Sequence, residues 1–123
     1  MSDNHGAACN PDTLRESFVA ELTGAVYPLT LRHGMTGSWL DLELGLWKAL
    51  AETVRLWARE WPPVGSQDEF EVWREGLLVD LTEGALHIAL KNGVKGFPLE
   101  MELALYRAFR SVVRRVGQKA LRR

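Results

Sequence analysis

One cysteine, three histidines and no long apolar run leave this 123-residue chain little with which to build covalent, metallic or membrane chemistry. Cys9 has no second thiol to pair with, so neither an internal disulfide nor a thiolate metal site is open to it. No stretch approaches the roughly 20 apolar residues that cross a bilayer, which predicts a soluble chain with no membrane partner. The opening from Met1 to Asp12 is polar and lacks a basic start followed by an apolar core. No secretory signal is expected from it, and the cytoplasm is the expected address. His5, His33 and His87 fall at spacings that suit no zinc arrangement. The turns Gly34 to Gly37 and Gly93 to Gly96 lack the Lys-Ser/Thr ending of a phosphate loop, and no Ser-His-Asp or Cys-His set is suggested. Enzyme activity is the least supported class, and no cofactor is expected.

Hydrophobic residues (46%) and charged residues (25%) are present in ordinary globular proportions, and the length suits one domain. Charge, however, is unevenly placed. From Leu103 onward stand Arg107, Arg110, Arg114, Arg115, Lys119, Arg122 and Arg123 with no acid, while the remainder holds eight basic against sixteen acidic residues. A net charge of −1 therefore divides into a basic end and an acidic body.

The largest signal is an internal repeat. Leu14 to Arg55 laid over Trp73 to Arg114 gives 14 identities in 42 positions without a gap, at an offset of 59. Arg15/Arg74, Glu16/Glu75, Leu22/Leu81, Thr23/Thr82, Leu31/Leu90, Leu40/Leu99, Glu43/Glu102, Leu44/Leu103 and Arg55/Arg114 are among them. This reads as a duplication with a pseudo-two-fold axis. Residues 1–10 are expected to be a disordered tail, and 11–123 a single domain of two repeats, about 11–61 and 66–121.

The second half of each repeat has helical spacing. Ser38 precedes Asp41 at capping-box distance, and Leu40, Leu44, Trp47, Ala51, Val54, Ala58 and Trp61 follow in steps of four and three up to Pro62-Pro63. Pro98 opens the counterpart, with Leu99, Leu103, Tyr106, Arg110 and Val113. The first halves begin after Asn10 and with the box Ser66 to Glu69, and end on Gly34 and Gly93 as C-terminal caps. Leu14, Phe18, Leu22, Ala25 and Leu29, matched by Trp73, Leu77, Leu81, Gly84 and Ile88, line one face. A second stripe, Ala20/Val79, Tyr27/Leu86 and Leu31/Leu90, lies nearly opposite and predicts burial on two sides. Pro28 argues for a kink, and the alternation around it leaves an α+β alternative with short strands near 25–32 and 77–91. The preferred fold is all-α: two helical hairpins packed as a four-helix bundle.

In such hairpins Glu16 lies level with Arg55 and Glu75 with Arg114, which reads as a clamp at each open end. Glu43 and Glu102 fall on the expected apolar faces, where a carboxylate needs a partner; His87 lies beside Glu102, and only Pro28 beside Glu43. Glu16, Glu43, Glu75 and Glu102 also supply one carboxylate per helix, the raw material of a carboxylate metal site, but no histidine follows Glu43 or Glu102 at the required three-residue spacing. The tryptophans, Trp39, Trp47, Trp57, Trp61 and Trp73, are expected mostly in the core.

Arg107, Arg110 and Arg114 form a stripe where the first repeat has Lys48, Ala51 and Arg55. With Arg115 and Lys119 this stripe suits an acidic protein partner or nucleic-acid phosphates. The leading expectation is a non-catalytic helical interaction module or accessory subunit, self-associating, with the last helix and the edges of the Trp-rich second helix as contact surfaces. A small nucleic-acid-binding or regulatory subunit is the alternative, and a carboxylate-bundle metalloprotein stands third.

Overall fold

The computed structural model describes residues 11–59, 67–96 and 98–117. Four helices fill them: α1 (Pro11–Leu31), α2 (Trp39–Ala58), α3 (Gln67–Lys91) and α4 (Pro98–Val112), the last running on into one π-helical turn, Val113–Gly117. No strand occurs among the described residues, so the α+β alternative is set aside; residues 77–91 are the middle and end of α3. The tail at 1–10, the start signals Asn10 and Ser66, the Trp61-Pro62-Pro63 stop and Lys119 lie outside the described residues.

The caps follow from the residues that punctuate the sequence. Ser38 Oγ accepts the N–H groups of Leu40 (3.2 Å) and Asp41 (3.3 Å), satisfying two of the amides a helix start leaves without partners. Gly34 and Gly93 both take φ 77°, the left-handed conformation that ends a helix at no steric cost. At the second, the Val94 N–H donates to the Ala89 carbonyl (3.0 Å) and the Gly93 N–H to that of Leu90 (3.0 Å), a Schellman pair. Pro28 stays inside α1. The carbonyl that its missing N–H leaves over belongs to Gly24, and both residues are exposed, so water can satisfy it.

Each helix packs on two others, α1 on α2 and α4, α3 on α2 and α4, in a closed ring compatible with a four-helix bundle. Phe18, Leu22, Val26, Leu77, Leu81 and Ala85 meet Leu42, Leu46, Leu50, Met101, Leu105 and Phe109 at its centre. α2 and α3 approach closely because glycines face them: a methyl at Gly45 would stand 2.9 Å from Ile88 Cγ2, and one at Gly76 would stand 2.6 Å from the Trp57 ring.

Two expectations about faces are corrected. The buried stripe of α2 is Leu42, Leu46, Leu50 and Val54, and that of α4 is Met101, Leu105, Phe109 and Val112. Leu40, Leu44 and Trp47 with Leu99 and Leu103 lie outside it and are exposed. Leucines occupy two phases of α2, but only the Leu42 phase stays apolar in both repeats; the other meets Arg110 in α4. A core common to the two hairpins has to take the phase without the guanidinium. The second stripe of α1 and α3 is likewise on the surface, with Ala20, Val79, Leu31 and Leu90 exposed and Tyr27 and Leu86 half-buried.

The two hairpin turns pair with each other. Met35 and Val94, 59 positions apart, form an isolated antiparallel bridge. The Thr36 N–H donates to the Gly93 carbonyl (3.2 Å) and the Lys95 N–H to the Gly34 carbonyl (2.8 Å), two bonds that exchange under the same offset. Thr23 and Thr82, an identical pair, are both buried and both donate to the carbonyl four residues back, Val19 (2.9 Å) and Leu78 (2.8 Å).

Candidate functional site

Two surface features occupy the outer side of the α3/α4 hairpin. The first is an apolar groove of about 420 Å³ lined by Val79, Thr82 and Glu83 of α3 and Leu99, Glu102, Leu103 and Tyr106 of α4. It exists because the core takes the Met101 phase and leaves Leu99 (75% exposed) and Leu103 (49%) on the flank toward α3. The second is a polar cleft of about 170 Å³, lined by Arg74, Glu75, Leu78, Tyr106, Arg110 and Arg114. Tyr106 belongs to both.

The first repeat has a corresponding flank on α2, where Leu40 (49%), Leu44 (52%) and Trp39 (61%) stand open and Trp47 is at the edge of exposure. Tyr27 of α1 reaches across to it, donating its hydroxyl to the Trp39 carbonyl at 3.4 Å. Partial burial, then the charge of Glu43, pushes the Tyr27 hydroxyl above its ordinary value. The tryptophans thus divide: Trp73 is buried and Trp57 half-buried, in edge-to-face contact with centroids 5.8 Å apart, while Trp39 and Trp47 face out.

The pairings expected across the hairpins are mostly replaced by others. Arg55 pairs with Glu52 on its own helix (2.6 Å), and Glu16 is exposed on α1. A partner three residues away on one helix is nearer than one on a facing helix, and the local pair wins. Glu75 shares the cleft with Arg114 but accepts the Tyr106 hydroxyl at 2.6 Å. That bond, then burial, then the Glu75 charge raise the Tyr106 hydroxyl above its ordinary value, against the opposing pull of Arg110 and Arg74.

His87 is exposed and no bond joins it to Glu102 among the described residues; with Met101 turned inward, Glu102 opens into the groove beside Thr82 and Glu83. Glu43 is half-buried at the rim of the α2 core stripe, not at its middle.

Of the basic residues, Arg107, Arg110 and Arg114 are exposed, and Arg115 reaches Glu21 of α1 at 3.4 Å. The described residues contain no group of three or more His, Cys, Asp or Glu side chains placed to hold a metal ion, so the four repeat glutamates do not converge. None of the described helices is long and apolar enough to cross a membrane.

Among the contacts that escaped sequence reasoning are Tyr106 with Glu75, and the Trp57 Nε1–H donated to Asp80 at 2.8 Å. The signal for the first was present. At an aromatic position, Trp47/Tyr106, only the second repeat carries a hydroxyl, and Glu75 is the kept acid on the neighbouring helix. Neither a protein-family model, nor a curated protein, nor a solved structure matches this chain.

Proposed function

We propose that this protein is a non-catalytic helical interaction module, an accessory or adaptor subunit that associates with itself through the flanks of α2 and α4. The observation that carries the reading is leucine retained at surface positions in both repeats: Leu31/Leu90, Leu40/Leu99 and Leu44/Leu103. Identity at a core position follows from packing. Identity at a half-open leucine follows from it much less, because a large part of such a side chain stays outside the burial that holds the bundle together.

Leu40, Leu44 and Trp47, like Leu99, Leu103 and Tyr106, stand at i, i+4 and i+7, the anchor spacing by which one helix enters the groove of another. Apolar flanks of this kind mark contact surfaces. A pseudo-two-fold relation of the hairpins, supported by the exchanged bonds between Thr36 and Gly93 and between Lys95 and Gly34, gives the subunit two such flanks on opposite edges of the ring.

The nucleic-acid reading ranks second. Arg107, Arg110 and Arg114 favour it, whereas Arg115 is engaged by Glu21, and Glu100 and Glu102 share the helix.

Sedimentation velocity over a wide concentration range tests the proposal. The wild type is expected to associate, Leu44→Glu and Leu103→Glu each to weaken association, and the double variant to be monomeric with unchanged helicity. A wild type that stays monomeric throughout would remove the self-association reading.

A further inference from the structure

The two repeats part company at one cleft, and every change of charge there has the same sign. Arg74, Glu75, Tyr106, Arg110 and Arg114 line the cleft at the open end of the α3/α4 hairpin. Their counterparts in the first repeat are Arg15, Glu16, Trp47, Ala51 and Arg55. There, Glu52 neutralises Arg55 at 2.6 Å. In the second repeat the position of Glu52 is Ser111 and that of Ala51 is Arg110. The acid that would pair with Arg114 is gone, and a second guanidinium stands one turn away from it. Arg110 and Arg114 have no acidic partner among the described residues.

The one carboxylate in the cleft already holds a donor, since Glu75 accepts the Tyr106 hydroxyl at 2.6 Å. Arg74 is steadied over the Phe70 ring, 5.7 Å from its centroid. Three guanidiniums against one carboxylate leave the concavity with a surplus of two positive charges.

We infer that this cleft binds a phosphate monoester. Guanidinium forks match phosphate oxygens in pairs. A monoester carries a charge of about −1.5 to −2 at neutral pH, which answers the surplus, whereas a carboxylate answers half of it. A nucleic-acid track fits less well, because each phosphodiester brings one charge and the adjoining groove presents Glu83 and Glu102 to a passing polyanion. Tyr106 joins cleft to groove, so the apolar substituent of an ester has a surface on the same hairpin. The phosphate cleft itself needs no second copy, as all its residues come from one chain, although the groove beside it is the α4 flank proposed to meet another copy.

Arginine side-chain Nε–H NMR on the full chain, at fixed ionic strength, provides the test. The probes are phenyl phosphate, a phosphoserine hexapeptide, inorganic phosphate and a single-stranded oligonucleotide. Saturable shifts are expected at Arg74, Arg110 and Arg114 and not at Arg55. The double variant Arg110→Ala, Arg114→Ala should lose at least about tenfold in affinity, and Arg55→Ala none. Tighter binding of phenyl phosphate would assign the monoester to a small molecule, tighter binding of the hexapeptide to a phosphorylated protein, and either carries the inference. Non-saturable shifts shared by Arg55, binding of inorganic phosphate with both monoesters rejected, or an oligonucleotide that neither monoester displaces would overturn it.

Discussion

Tyr106 on α4 donates its hydroxyl to the Glu75 carboxylate on α3 at 2.6 Å, and so ties the two helices between the apolar groove and the arginine cleft. Its proton is held above the ordinary tyrosine value of 10.0, first by that bond. A group whose folded value is raised contributes stability that is complete below its unfolded value and is lost as pH rises through the folded one. Alkaline unfolding measured by circular dichroism should therefore show stability falling above about pH 10, and Tyr106→Phe should flatten that fall. At neutral pH the same substitution is expected to cost about 0.5–1.5 kcal/mol. Tyr27, the only other tyrosine, stays in the variant as the reference.

The phase of the core gives a second prediction. Leu46 is fully buried and Leu44 is half open, although the two are separated by one residue on α2. Leu46→Ala should lower stability by about 2–5 kcal/mol, the range for a buried leucine. Leu44→Ala should stay within about 0.5 kcal/mol in the monomer, as surface substitutions do. Urea denaturation at low protein concentration separates them, and equal losses would contradict the assigned face.

Glycine to alanine should have opposite signs at two sites. A methyl at Gly24 meets nothing within 4 Å on an exposed turn of α1, so Gly24→Ala should stabilise by about 0.5–1 kcal/mol through helix propensity and a less free unfolded chain. At Gly37 the same methyl would stand 2.7 Å from the Asn92 carbonyl oxygen, where the Gly37 N–H already donates (3.1 Å). Gly37→Ala should destabilise by about 1–3 kcal/mol, because backbone of the paired turn has to move. Thermal melts of the two variants check both signs.

The helices were legible because their signals are local. Ser38, Pro98, Gly34 and Gly93 mark ends through their own hydrogen-bonding and backbone chemistry, and the repeat doubled each observation. Pro28 misled only as to strength: it removes one bond from α1, and the exposed Gly24 carbonyl it frees can turn to water. The inward face was harder. Leu40, Leu42, Leu44 and Leu46 fill both sides of α2, so periodicity offered two phases, and the choice between them is made by packing against the two neighbouring helices, α1 and α3.

The pairing of Glu102 with His87 depends on the register of the hairpin, and Glu102 instead shares its groove with Thr82 and Glu83, nearer the open end of α3. The clamps failed for a different reason. Arg55 had a nearer acid on its own helix in Glu52, and Glu75 had a hydroxyl in Tyr106. The contrast between repeats at Ala51 and Arg110 needs no coordinates to be seen, whereas the exchange of Glu52 for Ser111 gains its meaning only with Glu52 found on Arg55.

The claim on which the functional account turns is that the kept outward leucines meet another copy of the chain. Leucine-methyl NMR over a dilution series measures this directly. Resonances of Leu40, Leu44, Leu99 and Leu103 should move together with concentration while those of Leu46 and Leu105 hold still. Shifts confined to other positions, or none up to millimolar protein, would contradict the account.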